Sequence, residues 1–125
     1  MIRIAMADDH PIVRSGLSSL LQGMDDVTVV AEHGSAEALL TWLDDNVCDL
    51  VLLDLQFGKG RLTGAEATRR ISASGGPAVL ILTTYATDAD ILAALDAGAR
   101  GYLLKDTPTD ELERAVRAAA VGQPA

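Results

Sequence analysis

The sequence predicts an α/β domain in which five strands alternate with five helices, the strands forming one parallel sheet with helices on both faces. Two observations carry this reading. Short apolar runs of strand length alternate with longer stretches whose apolar residues recur at helical spacing. Each run also ends in polar, cap-forming or glycine residues that lead into the next helix, the right-handed crossover that parallel neighbours require.

The first strand spans 2–7 and stops at two acids, Asp8 and Asp9, followed by His10 and Pro11. Pro11 suits the first turn of a helix, because its missing N–H is not needed there, and Val13, Leu17, Leu20 and Leu21 give that helix one apolar face before Gly23 closes it. The β-branched segment 27–31 is the second strand. Ser35 caps a second helix carrying Leu39, Leu40 and Leu43, and Asn46 punctuates its end. Leu50, Val51, Leu52 and Leu53 form an unbroken apolar run, as expected of a strand covered on both faces. It ends at Asp54, on the edge of a glycine-rich loop, where open α/β sheets place their ligand crevice.

A third helix starts at Thr63 or Gly64, carries Ala67 and Ile71, and is terminated by Gly75, Gly76 and Pro77. The fourth strand, 78–82, ends in Thr83, Thr84 and Tyr85. Thr87 or Asp88 caps the next helix, whose apolar residues are Ile91, Leu92 and Leu95, and Gly98 stands where a left-handed C-terminal residue belongs. A short fifth strand, 101–104, ends at Lys105. Thr107 as cap, Pro108 in the first turn and Glu111 near it introduce the last helix, with Leu112, Ala115, Val116 and Ala119 on one face. Residues 1–121 make the domain, and 122–125, with Gly122, Gln123 and Pro124, read as the start of a linker.

At 125 residues the chain can bury roughly two thirds of its unfolded surface without staples. Aromatic residues are few, Trp42, Phe57, Tyr85 and Tyr102 being the larger ones, so the core must be built from Leu, Val, Ile and Ala. A net charge of -8, with ten scattered basic residues, repels phosphate backbones, so DNA contact needs another domain. Cys48 is the only cysteine, which excludes an internal disulfide and a multi-cysteine metal site and fits a reducing compartment. Without a signal-peptide pattern or a membrane-length apolar run, the expected location is the cytoplasm, with no membrane association.

Polar groups then gather at four strand ends: Asp8 and Asp9 on the first, Asp54 on the third, Thr83 on the fourth and Lys105 on the fifth. In a parallel sheet these ends share one edge. Three converging carboxylates repel one another and need a cation to ionise together, and all-oxygen donors favour a hard ion such as Mg²⁺, which keeps an open side for a phosphate oxygen. Lys105, one of two lysines with Lys59, suits a carboxylate that gains negative charge, and Thr83 offers a hydroxyl donor. Taken singly, these residues also read blandly, Asp54 as a turn former, Lys105 as a snorkelling surface residue and Thr83 as a strand terminus.

This set, with DDHPIVRSGL and the closing GARGYLLKDTP, resembles the receiver domain of two-component response regulators, in particular the NarL/FixJ branch with LuxR-type output, over essentially the whole chain. The resemblance implies a flavodoxin-like fold of strand order 2-1-3-4-5. It implies a phosphoprotein in a phosphorelay: Asp54 takes a phosphoryl group from a histidine kinase, without the domain being an enzyme beyond self-catalysed transfer and loss. It implies Mg²⁺ held by Asp9, Asp54 and the Gln56 carbonyl, with Asp8 acting through water. Thr83, Thr84 and Tyr102 are implied as switch and phosphate-binding residues and Lys105 as phosphate partner. A homodimer on phosphorylation, and DNA binding through a C-terminal output domain that regulates transcription, are implied as well. Gln56 and Tyr85 would flank the water path and set a slow dephosphorylation.

The loop departs from the family pattern. A proline four residues after the phosphoacceptor and a glycine at eight are usual, whereas here Gly58 stands at four and Gly64 at ten, an apparent two-residue insertion. Gly58, Gly60 and Gly64 also raise a nucleotide-binding α/β protein as an alternative, but GxGxxxG is one residue too long for the dinucleotide fingerprint and follows the third strand. A pseudo-receiver that keeps the fold and takes no phosphate is the other alternative.

Overall fold

Alternation of apolar residues along each strand sets the layers. In the computed structural model, which describes residues 1–84 and 87–122, β1 (Ile2–Ala7), β2 (Val27–His33), β3 (Leu50–Leu53), β4 (Ala78–Thr83) and β5 (Gly101–Leu104) form one parallel sheet of order β2-β1-β3-β4-β5. Between them run α1 (Pro11–Gln22), α2 (Ala36–Asp45), α3 (Gly64–Ala73) and α4 (Asp88–Asp96), and α5 (Thr109–Ala120) ends the fold. Ala5, Ala7, Val51, Leu53, Val79 and Ile81 project into one layer with Ala36, Leu39, Ala67, Ile71 and Ala94 from α2, α3 and α4. The intervening residues Ile4, Met6, Leu50, Leu52 and Leu80 project into the other, with Leu21 of α1 and Leu112, Val116 and Ala119 of α5. Period-two side chains thus feed two cores from one sheet. The expected flavodoxin-like fold is the one observed.

Helix starts follow their cap chemistry. Ser35 Oγ accepts from the Ala38 amide at 3.1 Å and Thr63 Oγ1 from the Glu66 amide at 3.2 Å. Thr87, rather than Asp88, caps α4 in a reciprocal box with Asp90. Gly98 follows that helix at φ +116, as its expected left-handed role requires. Cys48 is buried, and burial pushes its thiol pKa up, in keeping with a core residue.

Three expectations needed correction. β2 extends to His33, two residues beyond the expected end, because Asp8 donates its amide to the His33 carbonyl and prolongs the pairing with β1. α4 buries Ala94 and leaves Leu92 and Leu95 exposed. Gly98, just after the helix, lies against α3, where a Cβ would come within 2.2 Å of Ser72 Oγ. At α5 the N-cap is Pro108 and not Thr107, whose hydroxyl instead donates to the Leu104 carbonyl at 2.6 Å. Tyr85 and residues 123–125 of the expected linker lie outside the described residues.

Candidate phosphoacceptor site

Because β1, β3, β4 and β5 are consecutive neighbours in the sheet, apart from the β2 edge, their C-terminal ends deliver their polar residues to one place. Asp8, Asp54 and Thr83 are all nearly fully buried there. Lys105 Nζ reaches across from β5 to Asp8 Oδ2 at 2.6 Å and to Asp54 Oδ2 at 3.0 Å, with its side chain only 8% exposed. That exposure removes the snorkelling reading, because the ammonium itself is inside. Burial draws this ammonium toward its neutral form, but the hydrogen bonds and charges of Asp54 and Asp8 outweigh it, and its pKa stands above the ordinary lysine value.

Asp54 is held firmly. Its amide donates to the Ala7 carbonyl at 3.1 Å, and its Oδ1 accepts from the Leu55 amide at 2.8 Å. Above it, Gly64 opens α3 and donates its amide to the Leu55 carbonyl at 2.8 Å. A Cβ at Gly64 would lie 2.2 Å from the Asp54 carbonyl oxygen, so only glycine lets the helix start this close to the strand end. The inserted loop absorbs its extra length in a turn, with the Arg61 amide donating to the Gly58 carbonyl and positive φ at Gly58 and Gly60. Phe57 and Leu62 pack into the core on either side of that turn. Glu37 of α2 accepts from the Leu62 amide and pairs with Arg61, and its carboxyl is held below the usual value first by its own backbone amide and then by these partners.

Ligand atoms of Asp8, Asp9, His10 and Asp54 all lie within 4.8 Å of one another. Asp9 is partly exposed and Asp8 buried, with Asp8 Oδ1 accepting from the His10 amide at 2.8 Å. The three carboxylates supply the oxygen donors that fit a hard divalent cation, with the exposed side of Asp9 left for water, while the His10 imidazole is not a donor such an ion prefers. Gln56 and Thr84 are exposed, and Tyr102 is 41% exposed on β5, opposite Ile81 in the register. His10 was not among the expected site residues, nor was Arg14, which donates to the Asp8 carbonyl at 2.6 Å. Adjacency to two acids was the signal available for His10; for Arg14 there was only its place one turn into α1.

The receiver domain of response regulators, as a family pattern, matches residues 4–117 of this chain. The chain belongs to that family. This receiver domain is 40% identical over 123 residues to the transcriptional regulatory protein YxjL of Bacillus subtilis (strain 168), an alignment covering 98% of this chain and 56% of that protein. It is 36% identical over 121 residues to the nitrate/nitrite response regulator protein NarP of Escherichia coli (strain K12), covering 96% and 55%. The chain therefore spans a little over half the length of the curated relatives it matches. Among solved structures, a LuxR-family two-component response regulator from Aurantimonas sp. SI85-9A1 superposes with a TM-score of 0.91 at 35% identity, covering 100% of this chain and 89% of that one. The receiver of RcsB from Salmonella enterica serovar Typhimurium, with the phosphomimetic BeF3-, superposes at 0.87 and 27% identity, covering 99% and 91%. The chain is thus the receiver domain of a response regulator, a regulatory module of the NarL/LuxR kind.

Proposed function

We propose that Asp54 is the phosphoacceptor and that a histidine kinase is the donor. The observation that carries this is Lys105, buried between the Asp54 and Asp8 carboxylates with its pKa raised, a fixed cation where negative charge would develop. In the transfer an Asp54 carboxylate oxygen bonds to phosphorus as the bond from phosphorus to the donor's imidazole nitrogen breaks, and that nitrogen keeps the electron pair and takes a proton. Asp9, Asp54 and the Gln56 carbonyl would hold Mg²⁺, with Asp8 contributing through water. When bound, the ion neutralises charge on the carboxylates and on the incoming phosphoryl oxygens.

Thr83 and Thr84 would donate to the phosphoryl group and Lys105 would pair with it. Tyr102, now outward, would turn inward as Thr83 moves. Leu92 and Leu95 of α4 and Tyr102 and Leu104 of β5 are exposed apolar residues whose surroundings such a turn would change, which supports a homodimer forming on phosphorylation. The described helices include none long and apolar enough to cross a membrane, in keeping with action in the cytoplasm. Residues 1–121 act as the receiver, and 122–125 begin the linker to a DNA-binding output domain outside this chain. We assign slow dephosphorylation to Gln56 and Tyr85, so Tyr85→Ala should lose phosphate faster.

Acetyl phosphate with Mg²⁺ should add one phosphoryl mass to the wild type, and none in EDTA or to Asp54→Asn. Retention of that mass in Asp54→Asn would reject the assignment. No uptake by the wild type from either acetyl phosphate or a kinase would make the chain a pseudo-receiver.

A further inference from the structure

We infer that Arg14 is a positioning residue for the divalent cation: it grips the peptide joining Asp8 to Asp9, so that the two carboxylates are presented in one fixed relation. This rests on the Mg²⁺ reading above. The Asp8 carbonyl belongs to a planar unit that also contains the Asp9 nitrogen, so holding its oxygen fixes the torsions on both sides of that peptide. Arg14 Nη1 donates to this oxygen at 2.6 Å, a charge-assisted bond. Every other polar group of Asp8 is already engaged. Its amide donates to the His33 carbonyl at 3.0 Å, its Oδ1 accepts from the His10 amide, and its Oδ2 faces Lys105. Asp9, by contrast, has a partly exposed carboxylate whose Oδ1 lies 3.0 Å from His10 Nδ1, and its direction depends also on the peptide behind it.

The guanidinium is itself located from outside the site. Its Nε lies 3.9 Å from Glu32 Oε1 on β2, and Glu32 Oε2 accepts from Ser18 of α1 at 2.9 Å. The arginine fork thus ties α1 and β2 to the one peptide that carries both acids.

Charge and positioning predict opposite signs. A cation this close to the acids repels Mg²⁺, so if only its charge mattered, removing it would tighten metal binding. If it positions the acids, removing it loosens binding, and supporting groups behind ligands are typically worth 10-fold or more in affinity. Calorimetric titration of Mg²⁺ into the wild type, Arg14→Met and Arg14→Lys tests this, with thermal midpoints in EDTA recorded for each. The expected result is affinity weakened about tenfold in Arg14→Met and intermediate in Arg14→Lys, which keeps a donor but loses the fork toward Glu32. Arg117→Met, which breaks the distant ion pair with Asp26, is the control and should leave Mg²⁺ affinity unchanged. Equal or tighter binding in Arg14→Met overturns the inference, as does equal weakening in Arg117→Met. Failure of the wild type to bind Mg²⁺ would instead remove the reading on which it rests, and this inference with it.

Discussion

Replacing Gly64 with alanine should loosen the helix that roofs Asp54. The added Cβ would stand 2.2 Å from the Asp54 carbonyl oxygen, 2.9 Å from Leu55 Cα and 3.0 Å from the Asp54 carbonyl carbon. All three are backbone atoms, so no rotamer change can relieve the contact, and the start of α3 must move by something on the order of 1 Å. Such overpacking costs about 1–3 kcal/mol. Stretching the 2.8 Å bond from the Gly64 amide to the Leu55 carbonyl adds about 1 kcal/mol. The expected loss is therefore roughly 2–4 kcal/mol, or a fall of roughly 8–16 °C in Tm for a domain of this size. Gly60→Ala is the informative comparison. Nothing lies within 4 Å of its Cβ, so only the strain of φ +79 remains, a cost of about 1 kcal/mol. Urea unfolding followed by circular dichroism measures both variants. Equal losses in the two, or a loss below about 1 kcal/mol in Gly64→Ala, would refute the argument that close approach and not torsion sets the requirement.

Two further outcomes follow from groups near the site. His33 has its pKa lowered, chiefly by burial and then by the Arg14 charge, its Nε2 is buried with no partner among the described residues, and its ring packs against Trp42 at 5.9 Å. The unfolded state takes up the proton first as pH falls, so the stability of neutral His33 is complete above its ordinary value of about 6.5 and is lost progressively below it. His33→Phe should flatten that part of the stability profile in denaturant titrations run across the window, and an unchanged slope would exclude His33 as its source. Lys105→Met leaves the Asp8 and Asp54 carboxylates side by side without their shared cation, and should cost about 3 kcal/mol in EDTA. Saturating Mg²⁺ should restore part of that loss, since a ligand of the native state adds about 2.7 kcal/mol at 100 times its Kd. Equal stability of this variant in EDTA and Mg²⁺ would contradict the shared electrostatic role of the two cations.

The order of elements and the residues at the strand ends were legible from one-dimensional patterns because each depends on local rules. An apolar run four residues long that stops at a charge places Asp54 at a strand end whatever surrounds it, and Ser35, Thr63 and Thr87 cap helices through bonds that span three residues. What escaped depends on contacts far apart in sequence. That α4 buries Ala94 and leaves Leu92 and Leu95 outward depends on how the helix is seated in the fold, which their own spacing does not encode. The grip of Arg14 on Asp8 depends on how α1 leaves β1, and Glu37's hold on the inserted loop joins residues 24 and 25 positions apart. Lys105 is the intermediate case: its place at a strand end was readable, but its burial between two acids came only from the strand order.

The three-way restraint on the Asp54 backbone has a mechanical corollary. With its amide tied to β1, its carbonyl beneath the first residue of α3 and its own carboxylate folded onto the next amide, Asp54 behaves as an anvil within the domain. If charge is added to its side chain, as proposed above, a strand so restrained is expected to yield little, and displacement is expected instead in the groups that face the carboxylate. Those neighbours are Lys105, just past β5, and Asp8, Asp9 and His10, just past β1, so the ends of these two strands, on opposite sides of β3, are where the strain of such a charge would first be felt.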